Sequence, residues 1–400
     1  MKAKKIVSYI FYFFLFCGIF FLENIQVKGI QFTLMWKVPV IIFLTFYVLF
    51  EKNKKRSVSF GIYSIILGAE KNLNTSFTYT FTNLVDLMKG INLYLFTKFF
   101  LSYFSSGQNL KKILVTVSVY IIISFIPFEL GVVSPISNTV DVSVFGGESG
   151  IVGIFTSAHN AAISLSIAIF ILIYFLRSFS IGLKVWIISL IILGFYFLIF
   201  TYTRTGLAAL IISVVYYMYS INKGFQIIKL IFILSFIFIP VYFVFKTNES
   251  LTNKLIDKRT DSELSVETAG SGRYVIWSIN LKHWTELSIE EKIFGVGNER
   301  ALTYMQSKIG KPFFSHNEFI DVLLINGLLG LILYLFYLVG LIKFIRKKTG
   351  GVRNFVSATF VSYLIIMFFQ GGHFFLFEMI FALIITYGYQ INLNQIKNVT

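Results

Sequence analysis

Long apolar runs recur along almost the whole chain, and they decide what it can fold into. Nearly every run has about the 17–25 residues that a helix needs to cross the hydrocarbon core of a bilayer. Twelve runs are predicted membrane spans: 6–22, 34–50, 57–70, 84–104, 113–131, 156–176, 185–202, 205–221, 227–245, 317–342, 354–371 and 374–391. Because backbone in lipid must satisfy its own hydrogen bonds, each is expected to be a helix. The sequence predicts an all-α polytopic membrane protein with about twelve transmembrane helices.

Four of these spans depart from the simple pattern. The run 57–70 is short, and the run 84–104 contains three charged residues. The runs 185–202 and 205–221 are nearly continuous. One helix over both would be too long for a bilayer, so a tight turn is expected between them.

Composition excludes the soluble and disordered classes. Hydrophobic residues make up 56% of the 400 residues and charged residues 14%, against roughly 25% charged in soluble domains. The 35 Lys and Arg exceed the 19 Asp and Glu, which gives a net charge of +16. In a membrane protein this excess is expected on cytoplasmic loops, so no nucleic-acid partner is predicted. The single cysteine, Cys17, cannot form an internal disulfide, and no spacing matches a metal site.

Basic residues indicate which loops face the cytoplasm. With twelve spans, the basic clusters all fall on one side, together with both termini: Lys2/Lys4/Lys5, Lys52/Lys54/Lys55/Arg56, Lys111/Lys112, Arg177/Lys184, Lys223/Lys229 and Lys343/Arg346/Lys347/Lys348/Arg353. The positive-inside rule makes this side cytoplasmic. The run 6–22 resembles a signal peptide without a small-residue cleavage site, so it is expected to be a retained first helix.

The chain is expected to divide into four parts. These are N-terminal transmembrane helices over 1–131, a transmembrane core with an outer loop over 132–245, a long outer loop domain over 246–316 and C-terminal transmembrane helices over 317–400. The third part is the longest stretch between predicted spans, and its basic and acidic residues nearly balance.

Within the long loop, an aromatic segment has helical spacing. Tyr274, Trp277, Leu281 and Trp284 recur at intervals of three and four residues, which places them on one face of a helix. Such a face is typical of a helix at a membrane boundary. The alternative is a helix that packs on a small core of the loop itself.

Two arginines on the outer side have unusual surroundings. Arg204 lies between two spans, flanked by threonines and a glycine, and an arginine at such a depth is costly enough to indicate function. The alternative is a membrane-boundary anchor. Arg273 follows Gly-Ser-Gly at the start of the aromatic helix, where a guanidinium and free backbone N–H groups suit an anion such as phosphate. The alternative is an ordinary surface arginine.

His-Asn dipeptides mark two entries into predicted spans. His316 and Asn317 end the long loop, where the imidazole could exchange a proton near neutral pH. The alternative is a helix cap, since Asn317 suits that position. His159 and Asn160 occur at the outer start of another span, and Asp321 lies one helical turn after Asn317. No nucleotide-binding loop is present, so a cytoplasmic reaction driven by a nucleotide is not expected.

Several short motifs follow one another in a fixed order on the outer side. A Gly-rich loop ends at 155–160, a Thr-Arg-Thr-Gly turn follows, and the long loop holds Gly-Ser-Gly-Arg-Tyr-Val-Ile-Trp and Phe-Gly-Val-Gly. The loop ends in Ser-His-Asn-Glu-Phe-Ile-Asp, and Asn-Gly-Leu-Leu-Gly lies in the next span. This order resembles the O-antigen ligase / Wzy-type polysaccharide polymerase superfamily. The resemblance covers roughly residues 145–345.

The resemblance implies a membrane glycosyltransferase of GT-C architecture. It would act on the outer face of the bacterial cytoplasmic membrane without a metal or other cofactor. Its donor would be a glycan on undecaprenyl pyrophosphate, which a polymerase transfers to a lipid-linked repeat unit and a ligase to a lipid A core. The motifs fit both, and the polymerase is favoured. Membrane lipids, a chain-length regulator and a flippase are the other expected partners.

The resemblance also assigns roles to residues. Arg204 and Arg273 match the family's two arginines and would bind pyrophosphate as charge develops on the leaving group. His316 matches its histidine before asparagine and would activate the acceptor hydroxyl. Thr203 stands where serine is common in the family. Further predicted substrate-binding residues are Tyr274, Trp277, His159, Asn160 and Asn317.

A flippase for lipid-linked oligosaccharides is the alternative outside enzymes. Such a transporter is expected to show internal repeats and charges along a cavity within the spans. Here the polar residues of interest concentrate in one long outer loop, which favours the enzyme.

Overall fold

The computed structural model describes eleven stretches of the chain. These are residues 26–27, 30–50, 61–63, 66, 80–133, 150–155, 157–221, 273–310, 312–349, 352–371 and 374–397. Within them the regular secondary structure is helical, apart from one short antiparallel ladder. Its strands are β1 (Gln26–Val27) and β2 (Ile30–Gln31).

Thirteen α-helices lie within the described residues and are numbered in chain order. They are α1 (Phe32–Phe50), α2 (Thr80–Tyr103), α3 (Gly107–Ile123), α4 (Ile126–Glu129), α5 (Ala158–Phe175), α6 (Ile181–Phe200), α7 (Arg204–Ile221), α8 (Arg273–Glu286), α9 (Ile289–Phe294), α10 (Gly297–Ile309), α11 (Glu318–Lys348), α12 (Arg353–Phe369) and α13 (Phe375–Lys397). A short 3₁₀ turn, Leu176–Ser178, follows α5.

These helices confirm a multi-helix membrane protein. Among the described residues, six helices are long and apolar enough to cross a membrane. Nine of the twelve predicted spans coincide with described helices, and the tight turn before Arg204 is present. The spans predicted at 6–22 and 227–245, and nearly all of 57–70, lie outside the described residues. The count of twelve and the division into four parts stay predictions.

Helix α5 is at the centre of the bundle. It is apolar on all sides, as expected of a buried helix, and it packs against α3, α6, α7, α12 and α13. Where α5 meets α7, Gly206 lies so close to Ala162 that a Cβ atom would be 2.6 Å from the alanine side chain. This contact places the start of α7 directly beside the start of α5.

Helix α11 bends sharply at Gly327. The backbone there has φ 68° and ψ −168°, a conformation that only glycine adopts readily. The rings of Phe319 and Tyr334 are 5.6 Å apart between centroids, whereas a straight helix would place these positions roughly 22 Å apart. The two arms of α11, 318–326 and 328–348, therefore fold back towards each other.

The bend resolves a conflict between helix length and membrane thickness. A straight helix of the 31 residues of α11 would be roughly 46 Å long, against about 30 Å of hydrocarbon core. The arm 328–348 alone is roughly 32 Å long, which matches that core. The structure thus differs from the single span predicted at 317–342: the arm 318–326 is a separate element of roughly 13 Å.

Close backbone contacts hold the bend in place. A Cβ atom on Gly327 would clash with the carbonyl oxygen of Ile293, and one on Gly295 would clash with that of Ile325. The N–H group of Val296 donates to the carbonyl oxygen of Leu324 at 3.0 Å. The Phe-Gly-Val-Gly motif therefore packs directly on the bend. This close approach is possible because Gly295 and Gly327 have no side chains.

The helices α8, α9 and α10 pack over the first arm of α11. Their shared core consists of Leu287, Val296, Ala301, Leu324 and Ile325, with Trp284 packed against it. On α8, Trp277 contacts the ring of Phe368, but Tyr274 and Leu281 are 57% and 42% exposed. The four predicted residues thus do not share one environment, and the contacts match the interpretation in which α8 packs on a small core.

We expect the substitution Gly327→Ala to lower stability strongly. The left-handed backbone conformation alone should cost about 1–3 kcal/mol with a side chain, and the Cβ atom would also displace the backbone of Ile293. The measurement is the midpoint of thermal unfolding of the detergent-solubilised protein.

The matched control is Gly182→Ala on α6. A Cβ atom at Gly182 meets nothing within 4 Å, and alanine favours a helix, so its midpoint should stay equal or rise slightly. Equal midpoints for Gly327→Ala and the wild type would contradict the bend.

Candidate active site

Four helix ends meet around the side chain of Arg273. Arg273 begins α8, Thr205 lies in the first turn of α7, Gln370 follows the last residue of α12, and His316 lies just before α11. Two of the three predicted catalytic residues, Arg273 and His316, thus share contacts with Gln370. The third, Arg204, lies next to Thr205 and influences Arg273 electrostatically.

The guanidinium of Arg273 is held by neutral oxygen atoms. Its Nη1 donates to the hydroxyl of Thr205 at 3.4 Å, and its Nη2 donates to the side-chain oxygen of Gln370 at 3.0 Å. Burial, and then the positive charge of Arg204, lower the pKa of Arg273 to about 10. The group is still protonated at neutral pH, so two positive charges lie close together. Such a pair favours binding of a multiply charged anion.

The loop before α11 holds His316 in an unusual backbone conformation. His316 has φ 54°, in the left-handed region that is uncommon for residues other than glycine. The N–H group of Ser315 donates to the carboxylate of Asp321 at 2.8 Å, and the Ser315 hydroxyl donates to the carbonyl oxygen of Asn317. Three consecutive residues are thereby fixed, and the conformation is stabilised by its surroundings.

Asn317 is the N-cap of α11. Its side-chain oxygen accepts from the N–H groups of Phe319 at 3.0 Å and Ile320 at 3.2 Å. This is the preferred arrangement at a helix start. A helix cap was the alternative to a functional role, and the structure shows that Asn317 is this cap. A direct contact of Asn317 with substrate stays a prediction.

The His316 ring has a defined hydrogen-bond partner. Its Nδ1 lies 3.3 Å from the carbonyl oxygen of Gln370. A carbonyl oxygen only accepts, so Nδ1 carries the proton and Nε2 of a neutral ring has a free lone pair. Burial, and then the charge of Arg273, lower the pKa of His316, with an opposing contribution from the Gln370 carbonyl. At neutral pH the ring is a neutral base.

Trp277 connects α8 to the loop before α11 that contains His316, which is called the His316 loop. Its indole N–H group donates to the carbonyl oxygen of Ser315 at 2.8 Å. Its ring contacts Phe368 edge-on, with 5.6 Å between centroids, and lies 6.5 Å from that of Phe369. Trp277 therefore has a clear packing role beside the site, and a sugar contact remains a prediction.

The other predicted residues lie at varying distances from this cluster. His159 and Asn160 are half-buried in the first turn of α5, whose N-cap is Ser157. The close contact of Gly206 with Ala162 places this turn beside the start of α7. Tyr274, at 57%, and Arg204 are both exposed.

Sequence reasoning missed Gln370 and the role of Thr205. Gln370 is 7% exposed, and it contacts both Arg273 and His316. The signal for it was a polar residue before Gly-Gly-His, at the break between two apolar runs. That pattern predicts only a turn, because it does not indicate which residues the side chain of Gln370 contacts.

The site combines a positive region with a neutral base. Two guanidinium groups can stabilise negative charge on a phosphate-type group, and the Nε2 atom of His316 can accept a proton from a nearby hydroxyl. At these converging helix ends, the arrangement can therefore bind an anion beside a group that accepts a proton.

The chain resembles the O-antigen ligase family. Residues 189–335 match the Wzy_C family model, which is described as O-antigen ligase, and this confirms the resemblance drawn from the motifs. The match includes Arg204, Arg273 and His316 but ends before Gln370 and begins after His159. No curated protein matches the chain. Over residues 189–335 the chain is thus similar to the O-antigen ligase family, and its apolar helices are those of a membrane protein.

We expect His316 to titrate below the ordinary histidine value of 6.5 and to carry its proton on Nδ1. Long-range ¹H–¹⁵N spectra of protein with labelled histidines can test both points, since the chain has only four. The variant His316→Gln assigns the signal.

Arginine variants provide the matched comparison. Arg273→Gln should raise the pKa of His316, because it removes a positive charge that opposes protonation. Arg300→Gln on α10 should leave the pKa of His316 unchanged, since Arg300 pairs with Glu291. A proton on Nε2, or a pKa above 6.5, would refute the assignment.

Proposed function

We propose that this protein is a polysaccharide polymerase of the bacterial cytoplasmic membrane. It transfers a glycan chain from undecaprenyl pyrophosphate onto a lipid-linked repeat unit at the outer face, with both chain termini in the cytoplasm. The observation that best supports this function is the arrangement of Arg273. Its guanidinium is held by neutral oxygen atoms, beside Arg204 and close to the His316 ring.

In this proposal each group has one chemical task. The Nε2 atom of His316 accepts the proton of the acceptor hydroxyl as its oxygen attacks the anomeric carbon of the donor. The bond between that carbon and the pyrophosphate oxygen breaks, and its electron pair stays on the pyrophosphate. Arg204 and Arg273 stabilise the charge that develops there. The pyrophosphate is already an activated leaving group, so no nucleotide is required.

The two guanidinium groups supply the positive charge that a metal ion provides in other phosphate sites. The proposed reaction therefore uses neither a metal nor another cofactor. A GT-C architecture accords with helix ends that meet at one end of a membrane bundle. A flippase that delivers the donor and a chain-length regulator complete the proposed set of partners.

A ligase is the second candidate, because the matched family is described as O-antigen ligase. The chemistry at the pyrophosphate would be the same. The difference lies in the acceptor, which is a lipid A core in a ligase and a lipid-linked repeat unit in a polymerase. The Arg204, Arg273 and His316 arrangement serves either acceptor.

We expect Arg204→Ala, Arg273→Ala and His316→Ala each to abolish long glycan chains in cells. Loss of a group that stabilises the transition state should slow transfer about 10²- to 10³-fold or more. Arg273→Lys should also be defective, because a single ammonium does not replace the guanidinium that reaches both Thr205 and Gln370. The measurement is glycan length in a deletion strain that carries each variant, with lipid-linked intermediates extracted in parallel.

The matched control is Arg300→Ala, an exposed arginine on α10 in the same outer region. It should support wild-type chain lengths at equal protein levels. Glycan chains of wild-type length in cells with Arg204→Ala and Arg273→Ala would refute the role of these arginines in binding pyrophosphate.

The intermediates of the deletion strain separate the candidates. Single lipid-linked repeat units at the outer face indicate a polymerase. Full-length chains on the lipid pyrophosphate indicate a ligase. Lipid-linked units trapped at the cytoplasmic face would indicate a transporter instead of either enzyme.

A further inference from the structure

We propose that Gln370 is a positioning residue that holds the anion-binding arginine and the histidine base in one fixed arrangement. The inference rests on the proposed function, and it assigns a role to a residue outside the segment that matches the family model. Its experiment includes readouts that do not depend on glycan synthesis.

Gln370 contacts both groups through different atoms. Its side-chain oxygen accepts from Nη2 of Arg273 at 3.0 Å, and its backbone carbonyl accepts from Nδ1 of His316 at 3.3 Å. Gln370 itself is buried, with 7% of its surface exposed. A displacement of this one residue would therefore move the arginine and the histidine together.

The position of Gln370 is fixed by its own helix and by the next residue. Its N–H group donates to the carbonyl oxygen of Ile366 at 2.8 Å, so it continues the last turn of α12. Gly371 has φ 61°, and a Cβ atom there would lie 3.0 Å from the backbone nitrogen of Asn317. The end of α12 thus packs directly on the backbone of the His316 loop.

A second contact joins the same two segments. Phe368, two residues before Gln370, packs against the ring of Trp277, whose N–H group donates to the carbonyl of Ser315. The end of α12 is therefore attached to the loop on both sides of His316. This makes α12 a support for the loop, in addition to its place in the bundle.

A neutral amide is the side chain that suits this position. A carboxylate would bind Arg273 more strongly but would cancel its positive charge, and the site would then attract a pyrophosphate less. An apolar side chain would leave Nη2 of a mostly buried guanidinium without this partner, at a cost in orientation and stability. Glutamine accepts the hydrogen bond and leaves the charge available.

The charged groups around His316 determine what a new charge would do. Arg273, at the start of α8, acts on the ring with its positive charge, and Arg204, at the start of α7, acts on Arg273. On α11, the carboxylate of Asp321 binds the N–H group of Ser315, and Glu318 is two residues from His316. A carboxylate at position 370 would offset the arginine charges and would thereby favour a protonated ring.

The experiment compares Gln370→Met and Gln370→Glu with the wild type. Methionine keeps the length of the side chain and removes the acceptor, whereas glutamate keeps an acceptor and adds a negative charge. The matched control is Gln306→Met, at an exposed position on α10. The readouts are binding of undecaprenyl pyrophosphate to the protein in detergent, the pKa of His316 by ¹⁵N spectra, and glycan length in cells.

We expect Gln370→Met to weaken binding of undecaprenyl pyrophosphate about tenfold, the size of one hydrogen bond to a charged group. Gln370→Glu should weaken it at least as much, although Arg273 keeps its partner. It should also raise the pKa of His316 by roughly half a unit to one unit, which shifts the acid limb of transfer activity to higher pH. Gln306→Met should change neither binding nor pKa.

The outcomes separate this inference from the proposed function. Wild-type binding by Gln370→Met, or an unchanged pKa of His316 in Gln370→Glu, overturns the role of Gln370 even if the protein proves to be a polymerase. If the wild type makes no glycan but the binding and pKa shifts appear, the role of Gln370 stands and the proposed reaction fails. Should Gln370→Met not fold, the nearly isosteric Gln370→Glu still decides the question.

Discussion

The structure of the site depends on the cost of keeping a guanidinium largely out of water beside a second one. Burial and the charge of Arg204 both act against Arg273, as the lowered pKa shows. The described partners of Arg273, Thr205 and Gln370, reduce this cost by hydrogen bonding without removing the charge. Because Thr205 lies in the first turn of α7 and Gln370 follows the end of α12, the start of α7 and the end of α12 must meet. The contact between the two helices extends along their length.

Glycines make that convergence possible, since backbone can approach backbone only where side chains are absent. Gly206 lets α7 lie against α5, Gly371 lets the end of α12 touch the His316 loop, and Gly327 lets α11 turn against α9. The last two also have positive φ angles, which most residues avoid. The fine geometry of the site is thus set by positions that carry no functional group.

The sequence predicted the helices well and their junctions poorly. Apolar length is a local property, so the spans that became α5 and α7 were found to within about two residues, and the span that became α6 to within about four. The bend at Gly327 was missed because it depends on contact with Gly295, which the chain pattern does not reveal. Arg273 was singled out by the Gly-Ser-Gly before the aromatic segment, and His316 by the His-Asn pair at the entry to a span. Gln370 was missed because its role depends on contacts with Arg273 and His316, which are distant from it in sequence.

The short first arm of α11 has a consequence for how a ligand reaches the site. The second arm begins just past the bend, and its Leu328, Leu329 and Ile332 are 40%, 42% and 48% exposed. This outward apolar flank starts roughly 13 Å from the residue that follows the His316 loop. Under the proposed function, a substrate with a polar head and a hydrocarbon tail would therefore reach the site by lateral diffusion within one leaflet. Its tail never has to leave the bilayer, and the encounter becomes a search in two dimensions.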